Sequence, residues 1–207
     1  MTKRTKSSRR WLDEHANDPF VKRARESGYR SRAVFKLEDM QRTDRIIRPG
    51  MVIVDLGAAP GGWSQLAVKL LHGRGRIFAL DILPMDPIVG VDFIQGDFAD
   101  VAVLERLLAT LGTERPALVM SDMAPNMSGM AEVDHDRSMH LVELALDFAR
   151  SQLQPGGDFL VKVFQGRGFQ PLMQQLKALF TTVKVRKPPA SRARSPELYL
   201  LARQLKP

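Results

Sequence analysis

Between residues 51 and 202 the chain alternates short apolar runs with longer stretches of helical spacing, and this alternation limits the fold more than any other feature. The short runs are MVIVDL (51–56), RIFALD (76–81), VDFIQ (91–95), ALVMSD (117–122), DFLVKVF (158–164), TVKVRK (182–187) and ELYLLA (197–202). Helical stretches lie near 62–71, 100–111, 135–152 and 168–179. A strand that is apolar on both faces needs cover on both sides, and strands separated by helices pair in parallel. The expected class is therefore α/β, a mostly parallel seven-stranded sheet with helices on both faces. Residues 19–27 and 31–43 read as two short helices, the second with Ser31 at its N-cap and Phe35, Leu37 and Met40 as apolar positions. Pro49-Gly50 is a turn, and the polar, basic, proline-bracketed PPASRARSP (188–196) reads as an exposed loop.

A length of 207 residues with 44% hydrophobic content suits one α/β domain and would be cramped for two. Residues 1–10 read as a flexible basic arm, and 11–207 as a single domain. The absence of cysteine excludes a disulfide framework, a thiolate nucleophile and a Cys-ligated zinc. His15, His72, His135 and His140 show no ligand spacing, so no metal is expected. No apolar run reaches the roughly 18 residues of a membrane span. No apolar segment follows the basic start as in a secretory signal, so a cytoplasmic protein is expected, with a monomer as the default.

The net charge of +8 is unevenly spread. Residues 1–50 hold 14 Lys+Arg against 7 Asp+Glu, residues 51–176 hold 9 against 15, and residues 177–207 hold 8 against 1. Two basic ends around an acidic middle point to a polyanionic partner, because each neutralised phosphate releases counterions and adds affinity.

The sharpest local signal is VIVDLGAAPGGWSQ (52–65), an apolar strand ending in Asp55 followed by a glycine-rich turn that opens a helix. Ligands of open α/β sheets sit beyond the carboxyl ends of the strands. A dinucleotide fingerprint would carry glycines at 57, 59 and 62, whereas position 59 is Ala59. The missing glycine is the one that admits a pyrophosphate, which favours a nucleoside ligand without phosphates over a nicotinamide dinucleotide. Asp81 ends the second strand, where a carboxylate can accept from ribose hydroxyls. Asp97 follows the third, where it can accept from an adenine amino group or cap the next helix. Trp63, just inside the loop, suits stacking on a ligand.

DFLVKVF carries an anomaly. Lys162 sits inside an otherwise apolar strand, where an unpaired ammonium costs several kcal/mol. It must be paired or stand at the strand's functional end. Asp122 at the end of ALVMSD and Glu197 at the start of ELYLLA can reach the same rim of the sheet.

These residues carry a family resemblance. DLGAAPGGWSQ, LPMDPIVGVDFIQGDF, MSDMAPNMSG, VKVFQG and VRKPPASRARSPELY closely resemble the FtsJ type of bacterial 23S ribosomal RNA ribose 2′-O-methyltransferase, over about residue 11 to the end. The resemblance implies a Rossmann-like methyltransferase fold with S-adenosylmethionine as cofactor. It implies a catalytic set of Lys36, Asp122, Lys162 and Glu197, and a cofactor site with Gly61, Trp63, Asp81, Asp97 and Asp122. It also implies a uridine of 23S rRNA as target, met on the large ribosomal subunit. In such a site Lys162 activates the hydroxyl; either it or Asp122 takes the proton, and Lys36 and Glu197 position the substrate and Lys162. Another RNA substrate, a nicotinamide oxidoreductase and a non-catalytic RNA-binding protein are the competing readings.

Overall fold

The computed structural model describes residues 18–192 and 195–207. The basic arm at 1–10 and Arg194 in the 188–196 loop lie outside the described residues. In chain order the elements are α1 (Pro19–Glu26), α2 (Val34–Asp44), β1 (Val52–Leu56), α3 (Gly62–Leu71), β2 (Arg76–Asp81), β3 (Val91–Gln95), α4 (Val101–Leu111), β4 (Leu118–Ser121), α5 (Ala131–Gln152), β5 (Asp158–Phe164), α6 (Phe169–Leu179), β6 (Phe180–Arg186) and β7 (Glu197–Leu205).

The seven strands form one sheet in the order β3-β2-β1-β4-β5-β7-β6. The pairs β3–β2, β2–β1, β1–β4 and β4–β5 are parallel, and β7 runs antiparallel to both β5 and β6. The chain steps outward from β1 to β3 and then returns to β4 on the other side of β1, which opens a crevice beyond the ends of β1 and β4. No helix among the described residues is long and apolar enough to cross a membrane.

Strand alternation divides the core into two layers. Val54, Phe78, Val119, Phe159, Val161 and Leu200 pack on one face with residues of α4, α5 and α6. Their neighbours Ile53, Ile77, Met120, Leu160, Tyr199 and Leu201 pack on the other with residues of α1, α2 and α3. Lys162, two residues beyond Leu160, lies in register with Tyr199.

Three local details differ from the sequence reading. Ser31 is not the N-cap of α2. The helix starts at Val34 after Ala33, and the Ser31 hydroxyl instead accepts the Ala33 N–H at 3.1 Å, a side-chain turn one step ahead of the helix. Helix α5 begins at Ala131, before the first apolar periodicity, because Asp134 in its first turn accepts from the Ser128 N–H, the Ser128 hydroxyl and the Gly129 N–H. Strand β6 begins at Phe180, directly after α6.

Candidate active site

Beyond the ends of β1, β2 and β4 lies a cleft of about 480 Å³, within the range of small-molecule sites. Its polar lining includes Asp81, Asp97 and Asp122, and its apolar lining includes Ile82, Leu83, Phe98 and Met123. The turn after β1 brings its backbone against the turn after β4. A Cβ on Gly57, whose φ is +78°, would fall 2.7 Å from the Met123 backbone nitrogen. The Asp81 oxygens accept the Ala59 and Leu83 N–H groups, each at 2.8 Å, which ties the β1 and β2 loops around one carboxylate. Asp97 accepts the Ala99 N–H at 3.0 Å and is not the cap of α4; that role belongs to Asp100, which accepts from Ala102.

Gly61 and Trp63 stand behind this cleft. A Cβ on Gly61 would fall 2.7 Å from Ile88 Cδ1 and 2.9 Å from Met85 Sδ, so that glycine admits the packing of the β2–β3 loop. Trp63 is 3% exposed, packs on Tyr199 with centroids 5.8 Å apart, and donates its indole N–H to the Ala33 carbonyl at 2.8 Å. The ligand-stacking expectation for Trp63 is thereby corrected: the ring fills the core and fixes the start of α2.

Asp122, which lines the cleft, belongs to one connected cluster with Lys162, Lys36 and Glu197. Lys162 is 7% exposed on a central strand, and its ammonium lies 3.1 Å from Asp122 Oδ1 and donates to the Asp122 carbonyl at 2.6 Å. Lys36, projecting from α2, lies 2.7 Å from Glu197 Oε1, which also accepts the Ser191 hydroxyl at 2.8 Å. The two ion pairs are joined by Tyr199. Its hydroxyl donates to Asp122 Oδ1 at 2.7 Å and accepts from Lys36 at 3.0 Å. Tyr199 was missed by sequence reasoning, where it read as one more apolar residue of ELYLLA. The available signal was that a buried tyrosine hydroxyl needs a partner.

The electrostatics follow from this chain of contacts. Burial alone would raise Asp122, but the ammonium groups of Lys162 and Lys36 and the hydrogen bonds from Tyr199 and Lys162 outweigh it and hold the carboxyl below its usual range. Burial, then the Asp122 and Glu197 charges, push Tyr199 well above an ordinary phenol, so it remains a hydrogen-bond donor. Beneath the cleft, Asp55 is fully buried. Burial, opposed by the Ser64 hydroxyl at 2.7 Å and reinforced by Asp122 and Asp81, raises its carboxyl to about 7.

The basic residues near the site divide into two groups. Arg186 and Lys184 are bound to the buried Asp44 at 2.7 and 3.1 Å, and Lys187 donates to the Ser195 and Glu197 carbonyls at 2.6 and 2.5 Å. Arg186, Lys184 and Lys187 are therefore tied into the fold, so part of the basic charge of residues 177–207 already has partners within the protein. Arg192 lines a small cavity of about 230 Å³ beside Lys36 and Glu197, together with Arg32, which is itself paired with Asp18 and donates to the Ala190 carbonyl. Burial and the neighbouring Arg192 lower Arg32 from the usual guanidinium value, against the pull of Glu197.

A family model described as FtsJ-like methyltransferase matches residues 29–205. Among solved structures, a protein from Plasmodium falciparum named as a ribosomal RNA methyltransferase is 29% identical, with a TM-score of 0.77 over 86% of this chain and 98% of that one. A Clostridium thermocellum protein named as an rRNA methylase is 18% identical, with a TM-score of 0.57 over 82% of this chain and 97% of that one. The MycE methyltransferase of the mycinamycin pathway, solved with Mg and SAH, is 15% identical, with a TM-score of 0.54 over 83% of this chain and 48% of that one. The last two likenesses concern the fold alone.

Proposed function

Since the chain belongs to the FtsJ-like methyltransferase family, we propose that it methylates a ribose 2′-hydroxyl of ribosomal RNA, at a uridine of the 23S RNA in the large ribosomal subunit. The observation that carries this reading is the linked series Lys162–Asp122–Tyr199–Lys36–Glu197 at the edge of a nucleoside-sized cleft. An RNA substrate agrees with the two basic ends of the chain and with the name of the Plasmodium falciparum protein.

The cleft suits S-adenosylmethionine. Asp81 and Asp97 offer carboxylate oxygens to ribose hydroxyls and to an adenine amino group, and Ile82, Leu83 and Phe98 offer apolar walls to the base. Ala59 stands in the turn where the close approach of a pyrophosphate would call for glycine. When bound, this cofactor supplies a methyl group on a cationic sulfur that departs as a neutral thioether.

The protein's task is the nucleophile. Two of the three Lys162 donors are engaged by Asp122, which leaves one to orient the 2′-oxygen and to stabilise negative charge developing there. The hydroxyl proton passes to Asp122. A carboxylate with a low pKa suffices, because an oxygen that has begun to bond to carbon is a strong acid. Tyr199 and Lys36 keep Asp122 ionised and in place, and Glu197 anchors Lys36.

Two consequences are measurable. Asp81→Ala should weaken S-adenosylmethionine binding by roughly 1–3 kcal/mol in calorimetry, as expected when a buried hydrogen bond is removed. Wild-type binding of NAD without binding of S-adenosylmethionine would contradict the cofactor assignment. Deleting residues 1–10 together with Arg192→Ala should flatten the salt dependence of rRNA binding by roughly one unit for each phosphate no longer neutralised, with cofactor affinity unchanged. An unchanged slope would leave these charges without a role in RNA binding. The activity itself is tested by methyl-labelled cofactor incubated with large subunits that lack the modification, and in parallel with transfer RNA and capped messenger RNA. Incorporation into the subunits alone is expected; incorporation into either other RNA alone would overturn the substrate assignment.

A further inference from the structure

A second cavity, of about 590 Å³, opens directly beyond the strand ends that carry Lys162 and Glu197. Phe164, two residues past Lys162, lies in register with Glu197, and the Gln165 N–H donates to the Pro196 carbonyl at 3.0 Å, so these two strand ends form one wall. The segment after β4 divides this cavity from the cofactor cleft, with Asp122–Asn126 bordering the cleft and Met127 bordering the second cavity.

Its chemistry differs from its surroundings. Met127, Phe164 and Pro196 give it apolar surfaces, and Glu132 and Asp136 stand at its edge. Arg167 is held at 2.7 and 2.9 Å by Asp136, and its carbonyl is in hydrogen-bond contact with the His135 ring. A phosphate is disfavoured there, since the one arginine of its lining is already neutralised and carboxylates remain. The balance is reversed on the other side of Ser195, which lines both spaces: the small cavity there carries Arg32, Lys36 and Arg192 against Glu197 alone, and although Asp18 pairs with Arg32 and Glu197 with Lys36, its lining stays net positive. One side therefore suits a flat neutral group with a polar edge, and the other an anion.

Resting on the function proposed above, we propose that the larger cavity takes the base of the target nucleotide, unstacked from its neighbours. The ribose then lies at Lys162 and the adjoining phosphate runs toward Arg32 and Arg192. Met127 and Phe164 bear on the base, and Gln165 and Ser195 supply partners for its polar edge. Fixing the base fixes the sugar, and holding a hydroxyl in an attacking geometry is itself a large part of a transfer reaction.

The test uses Met127→Ala and Phe164→Ala in the full chain, with large subunits lacking the modification and labelled S-adenosylmethionine. Met127 is 69% exposed, so its substitution leaves the fold intact, and melting temperatures check both variants. The expected result is a rise in KM for the subunits of about tenfold or more, the scale of removing one base-stacking partner. Cofactor affinity and the salt slope of RNA binding should stay at wild-type values, unlike those of a variant that no longer grips a phosphate. Wild-type KM and kcat in both variants overturns the base site while leaving the methylation assignment standing; an inactive wild-type protein overturns the assignment itself. Subunit RNA carrying 4-thiouridine gives a second readout, because photocrosslinks are expected at Met127 or Phe164. Crosslinks confined to the Arg32–Arg192 side would overturn the proposal.

Discussion

Lys162→Met should yield a folded protein that binds S-adenosylmethionine as the wild type does and methylates RNA roughly a hundred- to a thousand-fold more slowly, the effect typical of removing one donor to a developing oxyanion. Methionine keeps the volume and apolar stem of the side chain on β5. What disappears is the ammonium that contacts Asp122 and is proposed to face the hydroxyl. Orphaning a buried charge outright costs about 3–5 kcal/mol. Asp122 keeps the Tyr199 hydroxyl at 2.7 Å, and Lys36 stands behind Tyr199, so the stability loss should stay below that range. Single-turnover kinetics with calorimetry of cofactor binding checks the separation. Robust turnover by the variant would make the lysine a structural residue and its strand position an accident of packing.

Stability should fall as the pH rises from about 4 to about 7, and Asp55 should be the main cause. Its carboxyl titrates near 4 in an unfolded chain and is raised to about 7 in the folded one. Between those values the folded state holds a proton that the unfolded state has released, so each step up in pH favours unfolding. The contribution is fully present below the unfolded value and lost as the pH passes through the folded one. The shift corresponds to a difference on the order of 4 kcal/mol between the two limits. Asp55→Asn removes the titrating group while leaving an oxygen for the Ser64 hydroxyl. Urea unfolding of both proteins at pH 5, 6, 7 and 8 should show the wild type losing stability relative to the variant across this window. Parallel curves would mean that the Asp55 carboxylate is ionised in the folded state throughout.

Much of this architecture was legible in the sequence because strand–helix alternation is a period effect and survives without any knowledge of partners. The runs from MVIVDL to ELYLLA became the seven strands, with ends displaced by a few residues, as at Phe180, where one element passes into the next. Lys162 was conspicuous because burial of a lone ammonium is costly, and the structure supplies Asp122 as its counterion. The failures share a different cause. The charge total of residues 177–207 counted Arg186 and Lys187 but could not show the buried Asp44 or the loop carbonyls that bind them. Trp63 sat beside the glycine-rich loop in sequence, yet helix α3 turns its ring inward toward Tyr199. Tyr199 itself joins Lys36 to Asp122 across three separate elements, and that bridge exists only once β5 and β7 pair in the observed register.

The proposed methyl acceptor is a particular atom, the ribose O2′. The most direct measurement is therefore the chemical identity of the product. Large subunits lacking the modification are methylated with labelled S-adenosylmethionine, and their 23S RNA is digested to nucleosides and resolved by mass spectrometry. The expected result is label in 2′-O-methyluridine, formed roughly a hundred- to a thousand-fold more slowly by Lys162→Met. Label in a base-methylated nucleoside would contradict ribose methylation.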